Sequence, residues 1–216
     1  MRAAIFDLDG TLVHSAPDIQ AAANTVLVAE GLAPLSLAEA TAFIGAGAGV
    51  FVDRMAAARL PAPDPARTRA MLAAFIDLYE GAVGLTRPYP GAVAALEALV
   101  RDGWALGLVT NKPEAPARAL LGHLDLMRFF PVIVGGDSLA RRKPDPLPLR
   151  HAIAVLGARE TVYVGDSETD AAAAQAAGVP FALFTEGYRQ TPLRALPHDF
   201  AFADFTELPL WLAGRG

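Results

Sequence analysis

The stretch that decides the fold is the first: Met1-Arg2-Ala3-Ala4-Ile5-Phe6-Asp7-Leu8-Asp9-Gly10-Thr11. A short apolar run, residues 3–8, begins almost at the first residue and meets two aspartates, Asp7 and Asp9. Strands buried on both faces have this continuous apolar composition. Side chains alternate along a strand, so carboxylates two positions apart project from the same side. Two negative charges held that close repel, and the arrangement implies an offset: a cation, a shared proton or a site for phosphoryl transfer.

Four further runs follow the same form. Residues 104–109 end at Thr110-Asn111-Lys112-Pro113, residues 131–134 at Gly135-Gly136-Asp137, residues 161–164 at Gly165-Asp166-Ser167, and Phe181–Phe184 at Thr185-Glu186-Gly187. Helical patterns fill the gaps at Ala92–Arg101 and at residues 115–123, 146–156 and 170–177. Strand and helix in alternation predict an α/β fold with a doubly wound parallel sheet. Open sheets of this kind bind ligands at the carboxyl ends of their strands, where every polar motif here falls.

One region breaks the alternation. From Ser15 to Leu85 only helix-like segments occur: residues 17–31, a segment opened by the capping-box sequence Ser36-Leu37-Ala38-Glu39, residues 50–60, and Pro65–Tyr79. Gly81, Gly84, Pro88, Pro90 and Gly91 punctuate the return. The expected organisation is a core of residues 1–14 and 86–216 with a small helical insertion, residues 15–85, joined by two linkers.

Composition narrows the function. The 216 residues are 53% hydrophobic, ample for a core, and the net charge of −5 argues against a nucleic-acid or acidic-membrane partner. No run approaches the roughly 20 apolar residues of a membrane span. Asp7 and Asp9 interrupt any signal-peptide core, so a cytoplasmic location is expected. The chain has no cysteine, which removes disulfides, thiolate metal sites and thiol nucleophiles together. The strand ends carry neutral donors at Thr110 and Asn111, a cation at Lys143 and carboxylates at Asp7, Asp9, Asp166 and Asp170. Such a set suits a phosphoryl group, with hard oxygen ligands that favour Mg²⁺ over zinc.

The set Asp7-Leu8-Asp9-Gly10-Thr11, Val109-Thr110-Asn111-Lys112, Lys143-Pro144 and Gly165-Asp166-Ser167-Glu168-Thr169-Asp170 resembles the four motifs of the haloacid dehalogenase superfamily, in order and each after a strand. The helical insertion is similar to the cap found between the first two motifs. Ser15-Ala16-Pro17-Asp18-Ile19, Phe43-Ile44-Gly45, Tyr89-Pro90-Gly91, Thr110-Asn111-Lys112-Pro113 and Gly187-Tyr188 are most similar to bacterial phosphoglycolate phosphatases.

The resemblance implies a Mg²⁺-dependent phosphatase that hydrolyses a small phosphomonoester, 2-phosphoglycolate foremost, through a phosphoaspartyl intermediate. Asp7 would be the nucleophile and Asp9 the general acid and base. Mg²⁺ would be held by the Asp7 and Asp166 side chains and the Asp9 backbone carbonyl. Thr110 and the backbone N–H of Asn111 would bind phosphate oxygens, and Lys143 would pair with both phosphate and Asp7. Asp170 would orient the metal shell, although it also reads as a simple charge at a helix N-terminus. The partner would be a small phosphate ester, with the protein a monomer or homodimer. The alternatives are a sugar-phosphate phosphatase or phosphomutase of the same superfamily and a non-catalytic binding protein.

Other residues read as structural. Lys112 reads as loop surface, Arg141 and Arg142 as surface, and Trp104 and Trp211 as core and surface packing. His14, His123, His151 and His198 are scattered and none reads as a ligand. Gly45-Ala46-Gly47-Ala48-Gly49 lacks dinucleotide-binding spacing and follows no strand; it reads as a helix-linking turn or as a cap loop facing the site. Two departures from the family pattern, His14 and Ala46, stand at the hinge and in that loop.

Overall fold

The computed structural model describes residues 1–215. The chain runs through β1 (Arg2–Phe6), the two-residue β2 (Val13–His14), α1 (Ala16–Ala29), α2 (Leu37–Phe43), α3 (Ala48–Arg59), α4 (Pro65–Tyr79) and β3 (Arg87–Pro88). It continues through α5 (Ala92–Arg101), β4 (Ala105–Val109), α6 (Glu114–His123), β5 (Val132–Val134), α7 (Leu147–Leu156) and β6 (Glu160–Gly165). Next come α8 (Glu168–Ala177), β7 (Phe181–Phe184), β8 (Phe200–Phe202) and α9 (Glu207–Ala213). No helix among the described residues is long and apolar enough to cross a membrane.

Six strands form a parallel sheet in the order β5-β4-β1-β6-β7-β8. Period-two alternation sends each strand's residues to opposite faces. Ala4, Phe6, Leu106, Leu108, Val162, Val164 and Phe184 join a cluster covered by α5, α6 and α9. Ile5, Val109, Tyr163 and Leu183 join a second cluster under α7 and α8. Both faces are therefore buried, which is why these strands read as unbroken apolar runs. Counted within the sheet alone, the strand order is 3-2-1-4-5-6, and the chain reverses direction between β1 and β6. The crevice at such a reversal is where ligands enter. Asp7 and Asp166 stand at the carboxyl ends of its two walls.

The sequence places five of the six strands. β8 is three residues long and follows His198-Asp199, too short for a period-two signal, and was not expected. Nor was the antiparallel pair β2–β3, which sets Val13 against Pro88 and His14 against Arg87 where the chain leaves and re-enters the sheet.

Helices α1 to α4 carry an apolar cluster of their own, including Ile19, Leu27, Met55, Met71 and Phe75. The expected capping box at Ser36 forms, with Ser36 and Glu39 satisfying each other's backbone donors. Asp18, buried in the first turn of α1, accepts hydrogen bonds from Leu85 N, Thr86 N at 2.7 Å and Thr86 Oγ1 at 2.6 Å. That carboxylate fastens the outgoing chain to the returning one.

Candidate active site

The loop after β1 aims the acidic pair. Asp7 N donates to Val164 O at 2.9 Å, extending the ladder to β6 by one residue. Leu12 N and Val13 N both return to Leu8 O, closing a tight turn. Leu8 points into the core, so Asp7 and Asp9 on either side of it point the other way. Both line a cavity, with Thr110, Asn111 and Lys112 beside them and Phe51, Phe75 and Tyr79 from the helices opposite.

Residues distant in the chain meet at Asp7. Lys143, 3% exposed, lies 2.9 Å from Asp7 Oδ1 and donates to Asp170 Oδ1 and the Tyr163 hydroxyl, each at 2.7 Å. Tyr163 in turn donates to Asp170 or to Val109 O. Asp170 is fully buried, and its other oxygen accepts from Ser167 Oγ and from Asp166 N and Ser167 N. Both oxygens of Asp170 are thus occupied by protein donors. It is also the third helical residue of the capping box that opens α8, so the helix-terminal reading of it holds.

Asp166 is fixed by Thr11 Oγ1 at 2.7 Å and Tyr188 N at 2.6 Å. The approach requires glycine at position 10: its φ is +87°, and a Cβ there would lie 2.5 Å from Asp166 Oδ2. The Tyr188 hydroxyl accepts from Ser15 N and Ala16 N and lies 3.1 Å from His14 Nδ1. His14 therefore packs against the loop that holds Asp166.

Asp7, Asp166 and Asp170 each offer an oxygen within 4.8 Å of the other two. Lys143 is the only ammonium in direct contact with this trio among the described residues. Its geometry to Asp7 is an ion-pair contact rather than a hydrogen bond, so Asp7 Oδ1 has no hydrogen-bond partner although it is buried. Burial pushes Asp7 up to about 7, with Lys143 pulling downward and Asp170 pushing further up. Burial, then Asp170 and Asp7, drive Asp166 well above the carboxylate range. Burial also disfavours charge on Asp170, but Lys143 and the hydroxyl donors outweigh it and hold Asp170 low. Burial disfavours the Lys143 ammonium, yet Asp170 and Asp7 more than offset that and raise its pKa. Buried carboxylates in excess of the one ammonium, with an Asp7 oxygen unpartnered, offer hard oxygen ligands of the kind a divalent cation takes.

The second motif behaves differently from expectation in one respect. Thr110 is buried at the end of β4, and its Oγ1 accepts from Lys112 N. Asn111 Nδ2 donates to Lys143 O and to Gly45 O, each at 3.0 Å, so its side chain bridges the lysine segment and the glycine-rich loop. That loop, with Gly45, Gly47 and Ala48 on the cavity wall, faces the site, while Ala46 lines the adjoining cleft that Arg54 and Asp166 share. Lys112, expected on the surface, is 6% exposed: its ammonium bonds the Tyr79 hydroxyl and lies 3.5 Å from Asp9 Oδ1. A lone lysine before proline carries no signal of burial. Arg141 and Arg142 are exposed, Trp104 is in the core and Trp211 stacks on Phe200.

The family model described as haloacid dehalogenase-like hydrolase matches residues 4–184. The chain is 52% identical over 210 residues to a phosphoglycolate phosphatase of Cereibacter sphaeroides, covering 97% of this chain and 96% of the relative. It is 46% identical over 218 residues to one of Rhodospirillum rubrum, covering 98% and 90%. The crystal structure of a predicted phosphoglycolate phosphatase from Haemophilus somnus 129pt superposes with a TM-score of 0.92 at 30% identity, covering 98% of this chain and 97% of that one. The chain belongs to the haloacid dehalogenase-like hydrolases.

Proposed function

We propose that this chain is a Mg²⁺-dependent phosphatase that hydrolyses 2-phosphoglycolate to glycolate and phosphate through a phosphoaspartyl intermediate on Asp7. The observation that carries this reading is the meeting of Asp7, Lys143, Asp166 and Asp170 at the strand ends beside a cavity that Asp9 and Thr110 also line. The relatives' names supply the substrate.

In this reading one Asp7 oxygen attacks phosphorus, and the ester P–O bond breaks. Asp9 gives its proton to the departing alkoxide, then takes one from the water that attacks the aspartyl phosphate. The P–O bond to Asp7 breaks and the carboxylate is restored. Lys143 pairs with the transferring group while Asp170 and Tyr163 hold the ammonium in place. Thr110 and the Asn111 N–H receive phosphate oxygens. The side chains of Asp7 and Asp166 and the Asp9 carbonyl would hold Mg²⁺, whose charge lets an anionic carboxylate meet an anionic phosphate. Asp170, with both oxygens engaged, orders the cluster without binding directly. Residues 15–85 act as a cap over a core of 1–14 and 86–216, with Phe51, Phe75 and Tyr79 excluding water. A soluble cytoplasmic enzyme fits this role.

A Mg²⁺-supplemented comparison of small phosphomonoesters by kcat/KM tests the proposal. Highest kcat/KM with 2-phosphoglycolate, with equimolar phosphate released, is expected. Interconversion of a sugar phosphate without release of phosphate would make the protein a phosphomutase instead.

A further inference from the structure

Lys112 is a buried cation that the phosphoryl-transfer steps above do not use. Lys143 already supplies the fixed positive charge for the phosphoryl group, between carboxylates at 2.9 and 2.7 Å. Lys112 is less well compensated. Its nearest carboxylate oxygen, on Asp9, is 3.5 Å away, and its other partner is the neutral Tyr79 hydroxyl, whose ring centroid lies 3.8 Å from the ammonium. A buried ammonium is costly unless paired, and two of its three donors have partners among the described residues. A second anion in the cavity would complete the set.

Position says which anion. Asp9, as the acid, faces the oxygen of the leaving group, so a cation 3.5 Å from Asp9 stands on the leaving-group side and not on the phosphoryl side. In glycolate the carboxylate is attached to the same carbon as that oxygen. We propose that Lys112 is the specificity residue that receives the carboxylate of the leaving group, with Tyr79 at the end of α4 holding its ammonium towards the cavity. The site then selects small phosphomonoesters bearing an acid group one carbon from the ester oxygen. This inference rests on the substrate reading given above.

The test compares kcat/KM for 2-phosphoglycolate with that for ethyl phosphate, in which a methyl group replaces the carboxylate. Wild type, Lys112→Met, Lys112→Gln and Lys112→Arg are measured side by side, with folding checked by circular dichroism. The ratio of the two kcat/KM values is expected to fall about tenfold or more in both neutral variants, mainly through KM for 2-phosphoglycolate, the size of one lost charge-assisted contact. Lys112→Arg is expected to restore most of the ratio. Equal losses on both esters would overturn the inference, because Lys112 would then act on the chemistry through Asp9. A wild-type ratio near one would overturn the substrate reading itself, and this inference with it.

Discussion

The Lys143 ammonium lies 2.9 Å from Asp7 Oδ1, both side chains nearly closed to solvent, Asp7 just past the end of β1 and Lys143 in the loop between β5 and α7. Asp170 grips the same ammonium at 2.7 Å. Lys143→Met leaves two buried carboxylates facing each other without compensation. Breaking a buried pair in this way costs about 3–5 kcal/mol, which lowers Tm by roughly 10 °C in a protein of this size. Calorimetry at neutral pH checks the stability, and turnover is expected to fall by about 10³-fold or more because the group proposed to pair with the transferring charge is gone.

The carboxylate cluster also sets a pH dependence. Asp7 moves from an ordinary value of 3.8 to about 7, and Asp166 moves in the same direction. Between those two values the folded protein binds more protons than the unfolded chain, so Asp7 makes metal-free stability fall as pH rises through the window, and Asp166 acts in the same direction. A divalent cation needs the ionised carboxylates, so its binding strengthens over the same range. The Mg²⁺-induced rise in Tm is therefore expected to be larger at about pH 8 than at about pH 6. A rise independent of pH would show that Asp7 and Asp166 are not the ligands.

Asp7→Asn separates chemistry from stability. The change removes the proposed nucleophile, and kcat is expected to drop by about 10⁴-fold or more. It also removes one of three buried carboxylates while Lys143 keeps Asp170. In the presence of a chelator at about pH 8 the variant is expected to be more stable than wild type, by on the order of 1 kcal/mol. Thermal melts with chelator and with Mg²⁺ check both halves: the variant gains without metal and responds less to it.

Much of this was readable from residues alone, for physical reasons. Strands buried on both faces announce themselves as apolar runs, and the polar residue that stops each run marks the strand end where ligands bind. Asp7, Thr110 and Asp166 each stand directly after such a strand. The residues that hold those groups in place leave weaker marks. Tyr163 sits inside an apolar strand, and only the need of a buried hydroxyl for a partner hints that it bonds Lys143 and Asp170. Tyr188 and Thr11 position Asp166 across long sequence separations that no local pattern encodes. Lys112 was misplaced because lysine is ordinarily exposed, and its burial depends on Tyr79 from a helix that periodicity could not orient against the sheet.

Asp9→Asn gives the most direct test of the central claim. Loss of the proposed base is expected to slow hydrolysis of the acyl phosphate while its formation from an ester with a good leaving group, such as p-nitrophenyl phosphate, persists. Acid-quenched Asp9→Asn incubated with Mg²⁺ and p-nitrophenyl phosphate is expected to carry one phosphoryl group, which mass spectrometry of the peptides places on Asp7. A phosphoryl group on another residue, or none at all while p-nitrophenol is released in a burst equal to the enzyme, would contradict the account.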